Sequence, residues 1–234
     1  MMTEEPALEV REPTGAVRGV VLVLHGGRAN GTTPVRARQL AVLRMAPFAR
    51  SLRRTGAEEG LAVARLRYVV RGWNGASRSP VPDVEWALDQ LANRFPDVPT
   101  ALVGHSMGGR AAIYAAAHPS VHAVVGLAPW IEAGDPYAQL AGRHLLVAHG
   151  DGDRITNGSA SAAWTRRAAT VAASASYVSV RGDGHAMLKR ASLWHSLTTS
   201  YVLEKLCGTV PDDAGSPAAA VMSQVLAGQT PLVV

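Results

Sequence analysis

The sequence predicts an α/β protein with a mostly parallel central sheet and helices on both faces, and three observations carry that expectation. Apolar runs of strand length recur along the chain, among them Val20-Val21-Leu22-Val23-Leu24, Ala123-Val124-Val125-Gly126-Leu127-Ala128 and Leu145-Leu146-Val147-Ala148. These runs lack the polar alternation of a half-exposed strand, so both of their faces should be buried. Amphipathic stretches of helix length lie between them, and strands alternating with helices bury their apolar surfaces best as a covered parallel sheet.

In chain order, a short strand over residues 8–11 is expected at a sheet edge and a core strand over residues 17–24. A helix over residues 34–54 follows, carrying Leu40, Leu43, Ala46 and Phe48. It should kink or break at Pro47, which lacks an N–H and whose ring crowds the preceding turn. A strand over residues 61–70 leads through a glycine-rich loop to a helix that starts near Pro82, carries Val84, Trp86, Leu88 and Leu91, and stops before Pro96. Further strands are expected over residues 100–103, 123–128, 144–148 and 176–180, with a last long helix ending near Cys207. No internal repeat is present. After Gly208 the chain changes character: residues 210–215 read as a polar linker, and Ser216-Pro217 as the N-cap and first residue of a short helix. The expected division is therefore a body over residues 1–208 and a C-terminal linker with a short helix or tail over residues 209–234. Val221, Met222, Val225 and Leu226 give that helix an apolar face, suited to docking on the body, to contact with a second subunit as a homo-oligomer, or to bordering the functional site.

Composition excludes several classes. A chain of 234 residues with 47% hydrophobic content is the size of one domain with a substantial core. The net charge is +5, and all but Lys189 and Lys205 of its 23 basic residues are arginines. Arg36, Arg38, Arg44, Arg50, Arg53 and Arg54 are scattered along one expected helix without interleaved aromatics. That pattern describes a solvated helix face and not a nucleic-acid track. The start, Met1-Met2-Thr3-Glu4-Glu5-Pro6, is acidic where a secretory signal is basic and apolar, and no apolar run reaches membrane-span length. A single cysteine, Cys207, permits no intramolecular disulfide and suits a reducing, cytoplasmic setting. The eight histidines form no metal-ligand spacing, so neither metal nor other cofactor is expected.

The most informative segment is Gly104-His105-Ser106-Met107-Gly108-Gly109. An apolar run precedes it and a helical pattern follows, the context of a G-x-S-x-G nucleophile elbow. The serine occupies a strained turn there, and the flanking glycines allow neighbouring backbone to approach. A serine hydroxyl needs a base to take its proton, and the base needs a third group to orient it. Two later apolar runs end in candidates for those roles, His149-Gly150-Asp151-Gly152-Asp153 and Arg181-Gly182-Asp183-Gly184-His185. Each lies just past the end of an expected strand, where open α/β sheets hold their ligand crevice.

With His25-Gly26-Gly27, these segments resemble the small α/β-hydrolases of the carboxylesterase, lysophospholipase and dienelactone-hydrolase group, over roughly residues 17–206. The resemblance implies an α/β-hydrolase fold in which acid and then histidine follow the serine along the chain. It implies Ser106 as nucleophile, His185 as base and Asp153 as orienting acid, with Asp151 the alternative. Asp183 stands too close to His185 for that role and reads as a turn residue. The oxyanion hole is expected at the backbone N–H groups of Met107 and Gly27, with Arg28 the neighbour that could replace Gly27. Arg28, Trp73, Trp130 and Met187, with Tyr137, are candidates for the substrate pocket, although each could equally be packing. His25, His105 and His149 read as braces and not as chemical groups. Only residues 129–143 are available for a cap, which predicts an open site suited to small substrates. The implied activity is ester hydrolysis through an acyl-enzyme, with thioester hydrolysis as the enzymatic alternative and a non-catalytic ligand-binding protein as the other class.

Overall fold

The computed structural model describes residues 5–210, 217–228 and 231–234. Its strands are β1 (Ala7–Arg11), β2 (Gly19–Leu24), β3 (Leu61–Arg67), β4 (Thr100–His105), β5 (Val121–Leu127), β6 (His144–Gly150), β7 (Ser174–Val180) and β8 (Leu232–Val233). Its α-helices are α1 (Leu40–Arg44), α2 (Ala46–Gly56), α3 (Pro80–Arg94), α4 (Met107–Tyr114), α5 (Gly158–Ala168), α6 (Ala191–Cys207) and α7 (Pro217–Leu226). The strands form one sheet in the order β1-β3-β2-β4-β5-β6-β7-β8, parallel throughout except for β1, which pairs antiparallel with β3 at one edge.

Alternation along the strands divides the core into two layers. Val20, Leu22 and Leu24 of β2 face one layer, with Leu102, Val124, Leu145 and Val147. Val21 and Val23 face the other, with Val103, Val125, Leu146 and Ala148. Helices α3, α4 and α5 cover the first layer through Leu88, Leu91, Ile113 and Trp164. Helices α2, α6 and α7 cover the second through Phe48, Leu52, Leu197, Tyr201, Val221 and Met222. Every residue of β2 and β4 is buried, which explains why β2 is apolar throughout and β4 is polar only at its ends, Thr100 and His105.

Several expected elements end elsewhere, for visible reasons. The helix expected over residues 34–54 begins at Leu40, because Pro34 and Val35 instead pair with Val70 and Val69 beyond β3. It breaks at Met45, two residues before Pro47, which occupies the first turn of α2. Leu40 and Leu43, expected to be apolar packing positions, are 78% and 46% exposed. Strand β3 stops at Arg67, as the Val69 N–H leaves the sheet to reach the Asp83 carboxylate at 2.9 Å. Helix α3 starts at Pro80, since prolines are tolerated where first-turn N–H groups have no helical acceptor.

Ser216 lies outside the described residues. Val221, Met222 and Val225 of α7 are buried within the chain, so most of that face docks on the body, while Leu226 is 41% exposed. Helix α7 packs on α6, and β8 extends the sheet beside Val178 and Ser179. None of the helices among the described residues is long and apolar enough to cross a membrane.

Candidate active site

The turn between β4 and α4 brings Ser106 to φ 55°, ψ −118°, in the left-handed region that non-glycine residues rarely enter. Its surroundings leave no room for side chains on the flanking glycines. A Cβ at Gly104 would collide with the Gly108 carbonyl, and one at Gly108 would sit 2.5 Å from the His25 carbonyl oxygen. The turn therefore presses the elbow against the end of β2, where the Gly26-Gly27 loop begins.

Loops following β6 and β7 bring two further side chains to the serine. The Ser106 hydroxyl donates to His185 Nε2 at 3.1 Å, and His185 Nδ1–H donates to Asp153 Oδ2 at 2.8 Å. The Asp153 side chain is 1% exposed, and its other bonds come from the Ile155 N–H at 2.7 Å, the Thr156 N–H at 3.1 Å and the Thr156 hydroxyl at 2.8 Å. Burial opposes ionisation of Asp153, but His185 and the donors of Ile155 and Thr156 outweigh it and hold the carboxyl down to about 2. This site can therefore present a carboxylate that is ionised at neutral pH to one imidazole nitrogen and a hydroxyl to the other.

Asp151, the alternative acid, is exposed and accepts the Gly182 N–H at 2.7 Å, with no contact to His185. Asp183 is 3% exposed and does more than form a turn. It accepts the N–H groups of Gly184 at 2.8 Å, Lys189 at 3.4 Å and Arg190 at 3.0 Å, and the Trp194 indole N–H at 2.9 Å, tying the His185 loop to the start of α6. Burial works against its charge, yet these donors lower its pKa. On the other side, the Arg44 guanidinium of α1 donates to the Ala186 carbonyl.

Among the described residues no hydrogen bond occupies the N–H of Gly27 or Met107. Met107 is the first residue of α4, where backbone donors lack helical partners and the helix dipole favours negative charge. Arg28 is not a substitute donor: its N–H is already given to the Arg71 carbonyl at 2.9 Å. A Cβ at Gly27 would clash with the Met107 sulfur and the Arg71 carbonyl. The Arg28 side chain itself is exposed.

The pocket candidates divide. Trp73 is 4% exposed and Met187 2%, the latter inside the core layer that holds Trp194, so neither offers an open wall. Trp73 and half-buried Trp130, packed edge to face, instead both contact the Arg110 guanidinium, at 4.4 and 4.6 Å from its carbon to the ring centroids. Arg110, buried on α4, bonds to Asp135 at 2.6 Å and to Glu132 at 2.7 Å. Burial would lower its pKa, and Asp135 and Glu132 raise it above the ordinary value. Trp130 reaches the elbow through its own N–H, which donates to the Ser106 carbonyl at 3.1 Å. Tyr137 stacks under Arg167.

The three bracing histidines all carry depressed pKa values caused first by burial. His25 falls to about 4 and bonds to the Gly26 carbonyl at 2.6 Å. His105 falls to about 3, and His149, also lowered, lies 3.2 Å from Asp153 Oδ2. Two participants were not singled out from sequence. Thr156 joins Asp153 and lies 3.3 Å from His185 Nδ1, and Arg110 organises two loops beside the elbow. The only sequence signal for Thr156 was a hydroxyl three residues after an aspartate, a common turn pattern.

A mostly parallel eight-stranded sheet with this strand–elbow–helix is the α/β-hydrolase fold. Residues 15–145 match the serine aminopeptidase S33 family, and the chain belongs to that family of α/β serine hydrolases. Human monoglyceride lipase is 32% identical over 114 residues, 47% of this chain and 34% of that enzyme, so the chain matches about a third of the lipase's length. Est1E from Butyrivibrio proteoclasticus, solved with ferulic acid bound, superposes with a TM-score of 0.64 at 15% identity, covering 86% of this chain and 95% of Est1E. XC6422 from Xanthomonas campestris, an α/β serine hydrolase without a lid, superposes with a TM-score of 0.62 at 16% identity, covering 88% and 91%. At these identities the two structures establish shared fold alone.

Proposed function

We propose that the protein is a carboxylic-ester hydrolase that works through an acyl-enzyme on Ser106. The observation that carries this reading is the continuous hydrogen-bond chain from Ser106 through His185 to Asp153, which starts next to Met107, a residue whose N–H has no hydrogen-bond partner among the described residues. Ser106 Oγ attacks the ester carbonyl as its proton passes to His185 Nε2. Asp153 stabilises the imidazolium, and the N–H groups of Met107 and Gly27 receive the oxyanion. His185 returns the proton to the departing alcohol. Water then attacks the acyl carbon, giving a proton to His185, and Ser106 leaves with that proton restored.

Between β5 and β6 only one short helical turn, Ala138–Leu140, stands where a cap would lie. Such a mouth suits small esters, a reading consistent with the lidless Xanthomonas relative. Graded p-nitrophenyl esters, acyl thioesters and fluorophosphonate labelling test the proposal. Ester turnover and stoichiometric labelling, both abolished in Ser106→Ala, are expected. Turnover of thioesters alone would move the reading to a thioesterase, and folded protein with neither turnover nor labelling would mark a binding protein.

A further inference from the structure

His105, the variable residue of the elbow, has a geometry that packing alone does not require. Its ring is 5% exposed, and its Nε2–H donates to the backbone carbonyl of His185 at 2.9 Å. Its Nδ1 has no hydrogen-bond partner among the described residues. The ring lies 4.7 Å from the His185 ring, and a Cβ built on Gly26 would stand 3.2 Å from Nδ1. One imidazole thus fills the space between the loop of the expected oxyanion donor and the expected base. An apolar residue would fill that space without leaving a buried nitrogen unpaired.

Resting on the esterase reading, we propose that His105 is a positioning residue that holds His185 in place while Ser106 is acylated. Two other tethers fix the His185 loop, Asp183 to the start of α6 and Arg44 from α1. His105 alone among the three ties the base to the elbow that carries the nucleophile. In the free enzyme the Ser106–His185 bond does the same. In the acyl-enzyme that bond is gone, because Oγ is esterified and has no proton to donate. The bond from His105 to the His185 carbonyl is independent of both the acyl group and the protonation of the His185 ring. It therefore persists through the half-reaction in which His185 must take a proton from water.

The distinguishing consequence is a selective loss of deacylation. His105→Phe keeps a ring and removes the donor, His105→Gln places an amide N–H near the same point, and His105→Asn is too short to reach. Rapid-mixing kinetics with p-nitrophenyl acetate separate the first release of p-nitrophenolate from steady turnover, with active sites counted by fluorophosphonate. In His105→Phe the steady rate should fall about tenfold, the equivalent of one lost hydrogen bond, with KM falling in parallel and the initial burst rate nearly unchanged. His105→Gln should recover most of that loss and His105→Asn should not. If the Phe variant fails to fold, the Gln and Asn pair makes the same comparison. Equal losses in burst and steady rates, no loss, or equal behaviour of Gln and Asn would overturn the proposal. Failure of the esterase reading itself would show separately, as absent turnover and labelling in the unsubstituted protein.

Discussion

Replacing Arg110 with alanine should destabilise the fold out of proportion to the loss of one surface-like charge. The Arg110 and Asp135 side chains are 6% and 1% exposed, so removing the guanidinium leaves a carboxylate buried without its counter-charge. Breaking a buried pair from one side costs about 3–5 kcal/mol. Asp135 keeps the Tyr114 hydroxyl at 2.8 Å and the Glu132 N–H at 2.9 Å, which places the cost near the lower end. Loss of the cation–π contacts with Trp73 and Trp130 adds about 1 kcal/mol, for a total of about 4 kcal/mol. With a urea m-value of about 3 kcal/mol/M, the midpoint should move down by about 1.3 M. Urea unfolding followed by far-UV circular dichroism measures it, avoiding the indole signals that the substitution itself alters. In the double variant Arg110→Ala/Asp135→Ala the stranded charge is absent, so its cost should be clearly less than the sum of the single ones. A single-variant loss below about 1 kcal/mol, or additive costs, would refute the argument that this ion pair is energetically buried.

Asp153→Asn should preserve the fold while lowering kcat by about four orders of magnitude, because an amide favours the wrong tautomer of His185; thermal melts paired with ester turnover check both parts. The depressed pKa of Asp153, about 2 against an ordinary 3.8, has a definite pH signature. Its stabilising contribution is present above about 4 and is lost as pH falls toward about 2, so Asp153→Asn should flatten the acid limb of a stability-versus-pH curve. Gly108→Ala should cost about 1–3 kcal/mol and most of the activity, as the added Cβ drives the elbow off the Leu24 and His25 carbonyls. Gly15→Ala, where a Cβ meets nothing within 4 Å, should leave both within error in the same denaturation and ester assays.

The sheet was legible because its signal is repeated: each central strand is buried on both faces, and continuous apolar runs are the direct consequence. The candidate site was legible because the elbow pattern indicates where its partners should appear, past the ends of later strands. What escaped was decided by contacts between segments distant in sequence. Residues 34–39 have a plausible helical pattern, but Pro34 and Val35 find backbone partners in Val70 and Val69. Trp73 and Met187 lie in loops beside the site and are nonetheless buried, one against Arg110 and one in the core. No local pattern distinguishes an aromatic ring that faces substrate from one that covers a guanidinium.

The acids make the same point in energetic form. Asp83, Asp153 and Asp183 all bury their carboxylates near loops at the active-site edge of the sheet, yet their pKa values move in different directions. Asp83 receives one backbone bond, from Val69, and burial raises its pKa. Asp153 and Asp183 are also opposed by burial, but each collects several donors and is lowered. The balance between burial and the number of converging N–H and O–H groups therefore sets the direction of each shift. Of the two lowered carboxylates, Asp183 spends its oxygens on backbone and indole donors that hold the loop. Asp153 turns Oδ2 toward an imidazole whose far nitrogen accepts from a strained serine. Two aspartates that look alike in a Gly-Asp-Gly-rich sequence thus separate into a loop clamp and a partner for His185, through the donors that the fold aims at each.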